Sequence, residues 1–293
     1  MSESSITFVN TVLVPGGLIA IMFSLGLTLT LADFGRLFER PRAILAGLSG
    51  QFLALPLLGL LIAALFRLPP EMAMGLFILS VSPAGVTSNA VTFAARGNVA
   101  LAVTLTTLTS IITVVTTPLL IAWALGFYFG GGDAPELSVS RTMAQLFQMT
   151  VLPIALGMLM RRFTPGIADR LVKWLRPTSI IILIAVILFS VLISAELVLA
   201  NLIHAGPAAW LLNIAAMCVG VLIARAFRLD DTDSMTVGIE VGVQNATMAT
   251  FLSLSVLNSW ALAITPTIYG VLMIMNAGFL VRYFRWKERR AGA

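Results

Sequence analysis

Cysteine and histidine are almost absent: Cys218 and His204 are the only ones in 293 residues. One cysteine excludes an internal disulfide and a thiolate metal cluster. One histidine leaves no imidazole set for zinc or copper. Cys218 lies in an apolar run and is expected to pack there, while His204 is expected in an outer connection between spans. Charge is also scarce, at 11% of residues against 59% hydrophobic, and the mean hydropathy is +1.00. So little polar surface cannot cover a soluble globule, and the chain reads as a polytopic membrane protein with the lipid bilayer as its solvent. The pI near 10.1 therefore does not point to nucleic acid. Its basic residues sit at span ends, where they set orientation.

Apolar runs long enough to cross about 30 Å of hydrocarbon fall at about 11–32, 43–66, 72–95, 99–127, 141–160, 178–199, 207–226, 236–257 and 261–282. These are nine spans, so the termini lie on opposite sides. Sixteen of the 18 Lys and Arg residues, from Arg36 to Arg290, fall on one side, leaving Arg67 and Arg141 on the other. This asymmetry predicts a cytoplasmic C-terminus and an outside N-terminus in a multi-pass cell (inner) membrane protein. Glu3, the lack of Lys or Arg before Arg36 and the lack of a small-residue cleavage site predict that the first run is retained as a span. Apart from the outer Gly130–Pro135 stretch and the inner 161–177 segment, connections are short. Lys173 and Trp174 suit an amphipathic surface helix in the latter, and the basic tail 285–290 reads as a topology signal. Glu196 reads as interfacial. Asn245-Ala-Thr247 matches a glycosylation acceptor but falls inside a span.

Two spans are interrupted. Ser82-Pro-Ala-Gly-Val-Thr-Ser-Asn89 puts Pro83 at mid-depth, where it removes a backbone hydrogen bond and clashes with the carbonyl of Leu79. Thr87, Ser88 and Asn89 can cap a resumed helix. In Glu240-Val-Gly-Val-Gln-Asn-Ala-Thr247, Gly242 and the amide pair do the corresponding work. One break lies about ten residues from the outer end of its span and the other about ten from the inner end. Interrupted spans at mirrored places predict inverted repeats with a site at the midplane.

Glu240 is the one ionisable residue between Met235 and Leu257. A charge at mid-membrane costs about 2.5–3.5 kcal/mol on insertion scales, and no Lys or Arg is expected at its depth. A proton, a bound cation or hydrogen bonds must compensate it. Mid-span oxygens are available from Gln51, Ser88, Asn89, Thr92, Thr106, Gln244 and Asn245, a donor set for alkali or alkaline-earth ions. Thr106, Thr109, Thr113 and Thr116 form a stripe whose hydroxyls are expected to bond mostly to their own helix.

The stretches 82–107 (SPAGVTSNAVTFAARGNVALAVTLTT), 238–249 (GIEVGVQNATMA) and 26–52 (GLTLTLADFGRLFERPRAILAGLSGQF) resemble the bile acid:sodium symporter family, in order and spacing over nearly the whole chain. The resemblance implies an all-α secondary transporter with core and panel domains, two inverted repeats and two crossing discontinuous helices. Residues 1–293 would form one transmembrane domain with halves at about 1–130 and 138–285. The core would come from spans 43–127 and 207–282, and the panel from spans 11–32 and 141–199. Carried over by position, a first sodium site would use Ser88, Asn89, Thr106 and Glu240. A second would use Gln51, Glu240, Gln244 and the carbonyls of Val241 and Val243. An organic anion would bind by the crossover, near Val86, Thr87, Ser88 and Asn245. Ala102 stands where the family pattern has a serine, so the first site has one oxygen fewer, and the implied stoichiometry is two sodium ions, or one if that site is lost. The first span of ten-span members has no counterpart in this count.

The expected function is sodium-coupled symport of an organic anion, either bile acid-like or a small carboxylate, by alternating access. Proton coupling through Glu240 and a non-transporting ion and anion sensor are the competing readings. An intramembrane enzyme would need a nucleophile with a base, paired acids or a metal site, and the spans supply none of these sets.

Overall fold

The computed structural model describes residues 7–130, 134–193 and 195–291. Glu3 and the loop residues Gly131, Gly132 and Asp133 lie outside the described residues, as do the side chains of Arg36, Arg176, Lys287, Arg289 and Arg290. Regular structure among the described residues is helical, apart from one isolated bridge. In chain order the helices are α1 (Val9–Gly26), α2 (Leu31–Glu39), α3 (Pro41–Leu65), α4 (Pro70–Ser80), α5 (Thr87–Ala94), α6 (Val99–Phe129), α7 (Val139–Phe163), α8 (Pro165–Ile193), α9 (Ala195–Ala226), α10 (Asp231–Gly242), α11 (Ala246–Val256) and α12 (Trp260–Ala291). Among the described residues, six helices are long and apolar enough to cross a membrane: α1, α3, α6, α7 and the greater parts of α9 and α12. The shorter apolar helices α4 and α11 are halves of the interrupted runs. The protein is a multi-pass membrane protein. Backbone hydrogen bonds closed within each helix are what hydrocarbon requires. Leu53, Leu57, Leu61 and Leu65 recur every four residues on α3 and are all exposed, a face suited to lipid.

The helices end by repeated devices. Arg67, Arg96 and Arg228 take left-handed backbone angles, with φ of 48°, 60° and 59°. The next amide in each case reaches back to a carbonyl five residues earlier: Leu68 to Ala63 (3.0 Å), Gly97 to Thr92 (2.8 Å) and Leu229 to Ala224 (3.1 Å). These are Schellman caps. Asn258 (φ 49°) closes α11 in a wider version, because that helix ends in a π-helical turn, Leu252–Val256. The order long helix, left-handed cap, half-helix, break, half-helix, left-handed cap, long helix therefore occurs over α3–α6 and again over α9–α12. Phe-Arg-Leu stands at the first cap of both series, at 66–68 and 227–229.

Two packing neighbourhoods follow. α1 lies against α7 and α8, with the bare Cα faces of Gly26 and Gly157 letting α1 and α7 touch backbone to backbone. A Cβ on Gly26 would stand 2.2 Å from the Ile154 carbonyl oxygen. Elsewhere α9 packs on α10 and α12, α4 on α3 and α12, and α10 on α5 and α6.

The structure departs from the sequence expectations in four places. The first span stops at Gly26, and residues 31–39 form a separate short helix, closed by Asp33 accepting from the amide (2.8 Å) and hydroxyl (2.7 Å) of Thr30. The 161–177 segment is not a loop with its own surface helix. Pro165, pre-set for a first helical turn, starts α8, which continues unbroken to Ile193 with Trp174 exposed. His204 is not in a connection, because α9 begins at Ala195 and runs through Pro207. Cys218 is exposed on α9 rather than packed inside.

Candidate functional site

The two breaks meet. α4 stops at Ser80 and α5 starts at Thr87, while α10 stops at Gly242 and α11 starts at Ala246. Between them Ala84 and Gln244 form an antiparallel bridge. The Gly85 amide donates to the Val243 carbonyl (2.8 Å), and the Asn245 amide to the Pro83 carbonyl (2.9 Å). Each unwound strand thus satisfies the other. The contact requires glycine, since a Cβ on Gly85 would lie 2.7 Å from the Gln244 carbonyl oxygen.

Carbonyls freed by the breaks are held by side chains from the long helices. Thr117 of α6 donates to Val81 O (2.5 Å), and Gln51 of α3 to Ser82 O (2.6 Å). In the second half, Tyr269 of α12 donates to Gly242 O (2.6 Å), and Asn213 of α9 to the same oxygen (2.8 Å). One hydroxyl and one amide secure each break. Asn276 donates to Asn213 Oδ1 (2.8 Å) and holds it in place.

On one side of the crossing, Ser88, Asn89, Thr106 and Glu240 converge. Ser88 Oγ donates to Glu240 Oε1, and Thr106 Oγ1 donates to Glu240 Oε2 (2.7 Å). The two hydroxyl oxygens are 3.4 Å apart, and Thr106 Oγ1 is also 3.4 Å from Asn89 Oδ1. Ser88 and Thr106 are fully buried and Glu240 nearly so. Among the described residues no basic side chain pairs with this carboxylate. Thr109, Thr113 and Thr116 bond back to their own helix, so Thr106 alone of that stripe turns to Glu240. Thr104 likewise bonds to Ala100 O (2.8 Å) and brings no oxygen to the place of a serine at Ala102.

Gln51 and Gln244 form the neighbouring group. Each amide donates to the other's oxygen at 3.0 Å, and Gln244 Nε2 also donates to Val241 O (2.7 Å). Gln51 stands in a π-helical turn, Gly50–Ala54, a local widening common at functional positions. The Val243 carbonyl is engaged by Gly85 across the crossing. Oxygen ligands of this kind suit a hard monovalent cation, and hydroxyls that now donate to the carboxylate would turn lone pairs to such an ion.

Val86, Thr87 and Asn245 face a different space, a crevice of about 20 Å³ shared with Ile21 of α1 and Met273 of α12. That is room for about one water. The side chain of Ser88 belongs instead to the Glu240 cluster. Asn245 Oδ1 caps α11 through the Met248 amide (3.0 Å), while its Nδ2 is buried without a partner among the described residues. The expected side-chain cap on α5 is not made; Val86 precedes it, and the Ser88 and Asn89 amides close onto backbone carbonyls. Sequence reasoning missed Asn213, Tyr269 and Thr117. Asn213 carried a signal, as a lone amide in an apolar run.

A helical membrane protein whose two interrupted helices cross beside a buried carboxylate has the architecture that secondary transporters use. Residues 15–201 match the Sodium Bile acid symporter family, and the chain belongs to that family of sodium-dependent transporters. It is similar to the probable sodium/metabolite cotransporter BASS2, chloroplastic, of Oryza sativa subsp. japonica, at 31% identity over 289 residues, 96% of this chain and 66% of the relative. It is 32% identical over 241 residues to the probable sodium/metabolite cotransporter BASS1, chloroplastic, of Arabidopsis thaliana, 81% of this chain and 58% of the relative. The chain thus spans about three fifths to two thirds of these two plant relatives. The uncharacterized sodium-dependent transporter YocS of Bacillus subtilis is 29% identical over 279 residues, 93% of this chain and 84% of the relative.

Proposed function

We propose that the protein couples the inward movement of sodium to that of an organic anion by alternating access. The observation that carries this is the convergence of Ser88, Thr106 and Asn89 on the buried Glu240 beside the crossing. In this reading Ser88, Asn89, Thr106 and Glu240 hold one sodium ion. Gln51, Gln244, Glu240 and the Val241 and Val243 carbonyls hold a second. The chain would cross the membrane nine times, counting each interrupted pair once, with the N-terminus outside. The two series of caps and breaks described above support a pair of inverted repeats. α1, α7 and α8 would form the panel, and the rest of the membrane helices the core.

The anion would bind where Val86, Thr87 and Asn245 face α1. Support comes from the unpartnered Asn245 Nδ2, a donor suited to a carboxylate, and from the start of α11 beside it. Because the crevice is now so small, binding requires α1 to part from the crossing. Relative motion of panel and core supplies that opening.

The test is thermal stability in sodium against choline at matched ionic strength, for wild type and Glu240→Gln. A ligand bound only by the folded state adds about 2.7 kcal/mol at a hundred times its Kd. Wild type should melt higher in sodium, and Glu240→Gln should not. An equal melting temperature in both salts for wild type overturns sodium coupling and turns attention to protons.

A further inference from the structure

Glu240, Thr236 and Asp233 stand at i, i−4 and i−7 on α10 and so share one face. All three are buried, at 2%, 0% and 4% exposure. Ser88 and Thr92, i and i+4 on α5, face them and are both fully buried. Gly97 makes the contact close: a Cβ there would lie 2.8 Å from the Thr92 methyl and 2.9 Å from the Thr236 hydroxyl. Further out, Thr236 Oγ1 accepts from the Asn98 amide (2.9 Å), and Asn98 Nδ2 donates to Asp233 Oδ1 (2.8 Å). Arg40 Nη1 donates to the other oxygen, Asp233 Oδ2, at 2.7 Å. Arg40 is more than half exposed and borders an open crevice of about 290 Å³ with Glu39, Asn98 and Thr104.

A face of buried polar side chains therefore runs along α10 and α5 from Glu240 towards the open crevice beside Arg40. One member of it is out of place. Thr92 Oγ1 is buried with no hydrogen-bond partner among the described residues. An unpaired buried hydroxyl is unfavourable, and valine would fill the same space without that cost.

We propose that Thr92, Thr236 and Asp233 form the path by which the cation at Glu240 exchanges with the aqueous phase at the Arg40 end, and that Arg40 closes it. The proposal rests on the reading of Glu240 as a sodium ligand. Thr92 offers a passing ion the next oxygen after Ser88, and Thr236 and Asp233 the ones after that. With Arg40 on Asp233, the last oxygen is taken and the path ends in a positive charge. Release of Arg40 into the crevice frees that carboxylate oxygen and removes the charge.

The low cysteine content gives a direct test. In a Cys218→Ala background, Thr92→Cys is reacted with a small cationic methanethiosulfonate in proteoliposomes, with and without Arg40→Gln. The cysteine should react, about tenfold faster once the Arg40 charge is gone, and more slowly as sodium is raised. In parallel, radioactive sodium exchange should fall about tenfold in Thr92→Val and be restored in Thr92→Ser. Thr92→Val should melt in choline no lower than wild type, which separates loss of a ligand from loss of packing. An unreactive cysteine in both Arg40 backgrounds, or wild-type exchange in Thr92→Val, overturns the path. A sodium-specific rise in melting temperature that persists in these variants leaves the Glu240 site standing in that event. Its absence in wild type would instead remove the site, and the path with it.

Discussion

Gly242 O shows how much of the crossing is held by side chains from the long helices around it. The helix break frees this carbonyl, and a buried unpaired carbonyl costs about 1–3 kcal/mol. Tyr269 and Asn213 both donate to it. Tyr269→Phe keeps the ring and removes one donor of two, so it should lower stability by about 1 kcal/mol while leaving the sodium-specific shift in place. Tyr269→Ala also empties the volume of a fully buried side chain, and a loss of about 3–5 kcal/mol should follow, measured as melting temperature against wild type. If Tyr269→Phe instead abolishes the sodium shift, the phenol acts on the ion site and not merely on the break. At this scale the sequence was legible where a residue was costly. Glu240 has no charged neighbour in its run, so its presence demanded a reason. Tyr269 and Asn213 carry no such cost, because an amide or phenol in a membrane helix commonly finds some partner. Which partner they find is decided by the fold.

The interrupted helices illustrate the next scale up. Pro83 and Gly242 announced both breaks, since proline removes a ladder bond and glycine weakens the helix wherever they stand. That the breaks cross at Ala84 and Gln244 depends on long-range packing, to which periodicity is blind. α2 and the long α8 were misjudged for a related reason. A hydropathy run records where apolar residues lie, and it registers neither the polar turn before Asp33 nor a helix that begins before its apolar part. The crossing itself is testable through Gly85, whose Cα faces the Gln244 carbonyl. Gly85→Ala forces the two strands apart by several tenths of an ångström, at about 1–3 kcal/mol by analogy with overpacked cores. Because Gly85 N and Val243 O bond across that gap, the variant should lose the sodium-specific shift even where it still folds. Retention of the full shift would mean that the ion cluster is independent of the crossing.

For the whole molecule, the number of ions sets the thermodynamics of transport, and Ala102 is the position at which that number can be tested. It is fully buried on α6, four residues before Thr106 and thus on the same face. A serine there would add an oxygen on the face that Thr106 presents to Glu240, an oxygen that Thr104, committed to the Ala100 carbonyl, does not supply. If two sodium ions accompany one monoanion, a net positive charge moves inward and the membrane potential adds about 2.3 kcal/mol per 100 mV. With one ion the cycle is neutral and the potential adds nothing. In the proposed two-ion cycle the first site does not depend on residue 102, since Ser88 Oγ reaches one Glu240 oxygen and Thr106 Oγ1 the other. Uptake into proteoliposomes should therefore accelerate with an inside-negative potential in wild type. Ala102→Ser should lower the sodium concentration needed for half-maximal uptake while leaving the voltage dependence unchanged. Should wild-type uptake ignore the potential and Ala102→Ser acquire voltage dependence with a steeper sodium curve, the alanine has emptied the first site. The natural cycle would then carry a single ion.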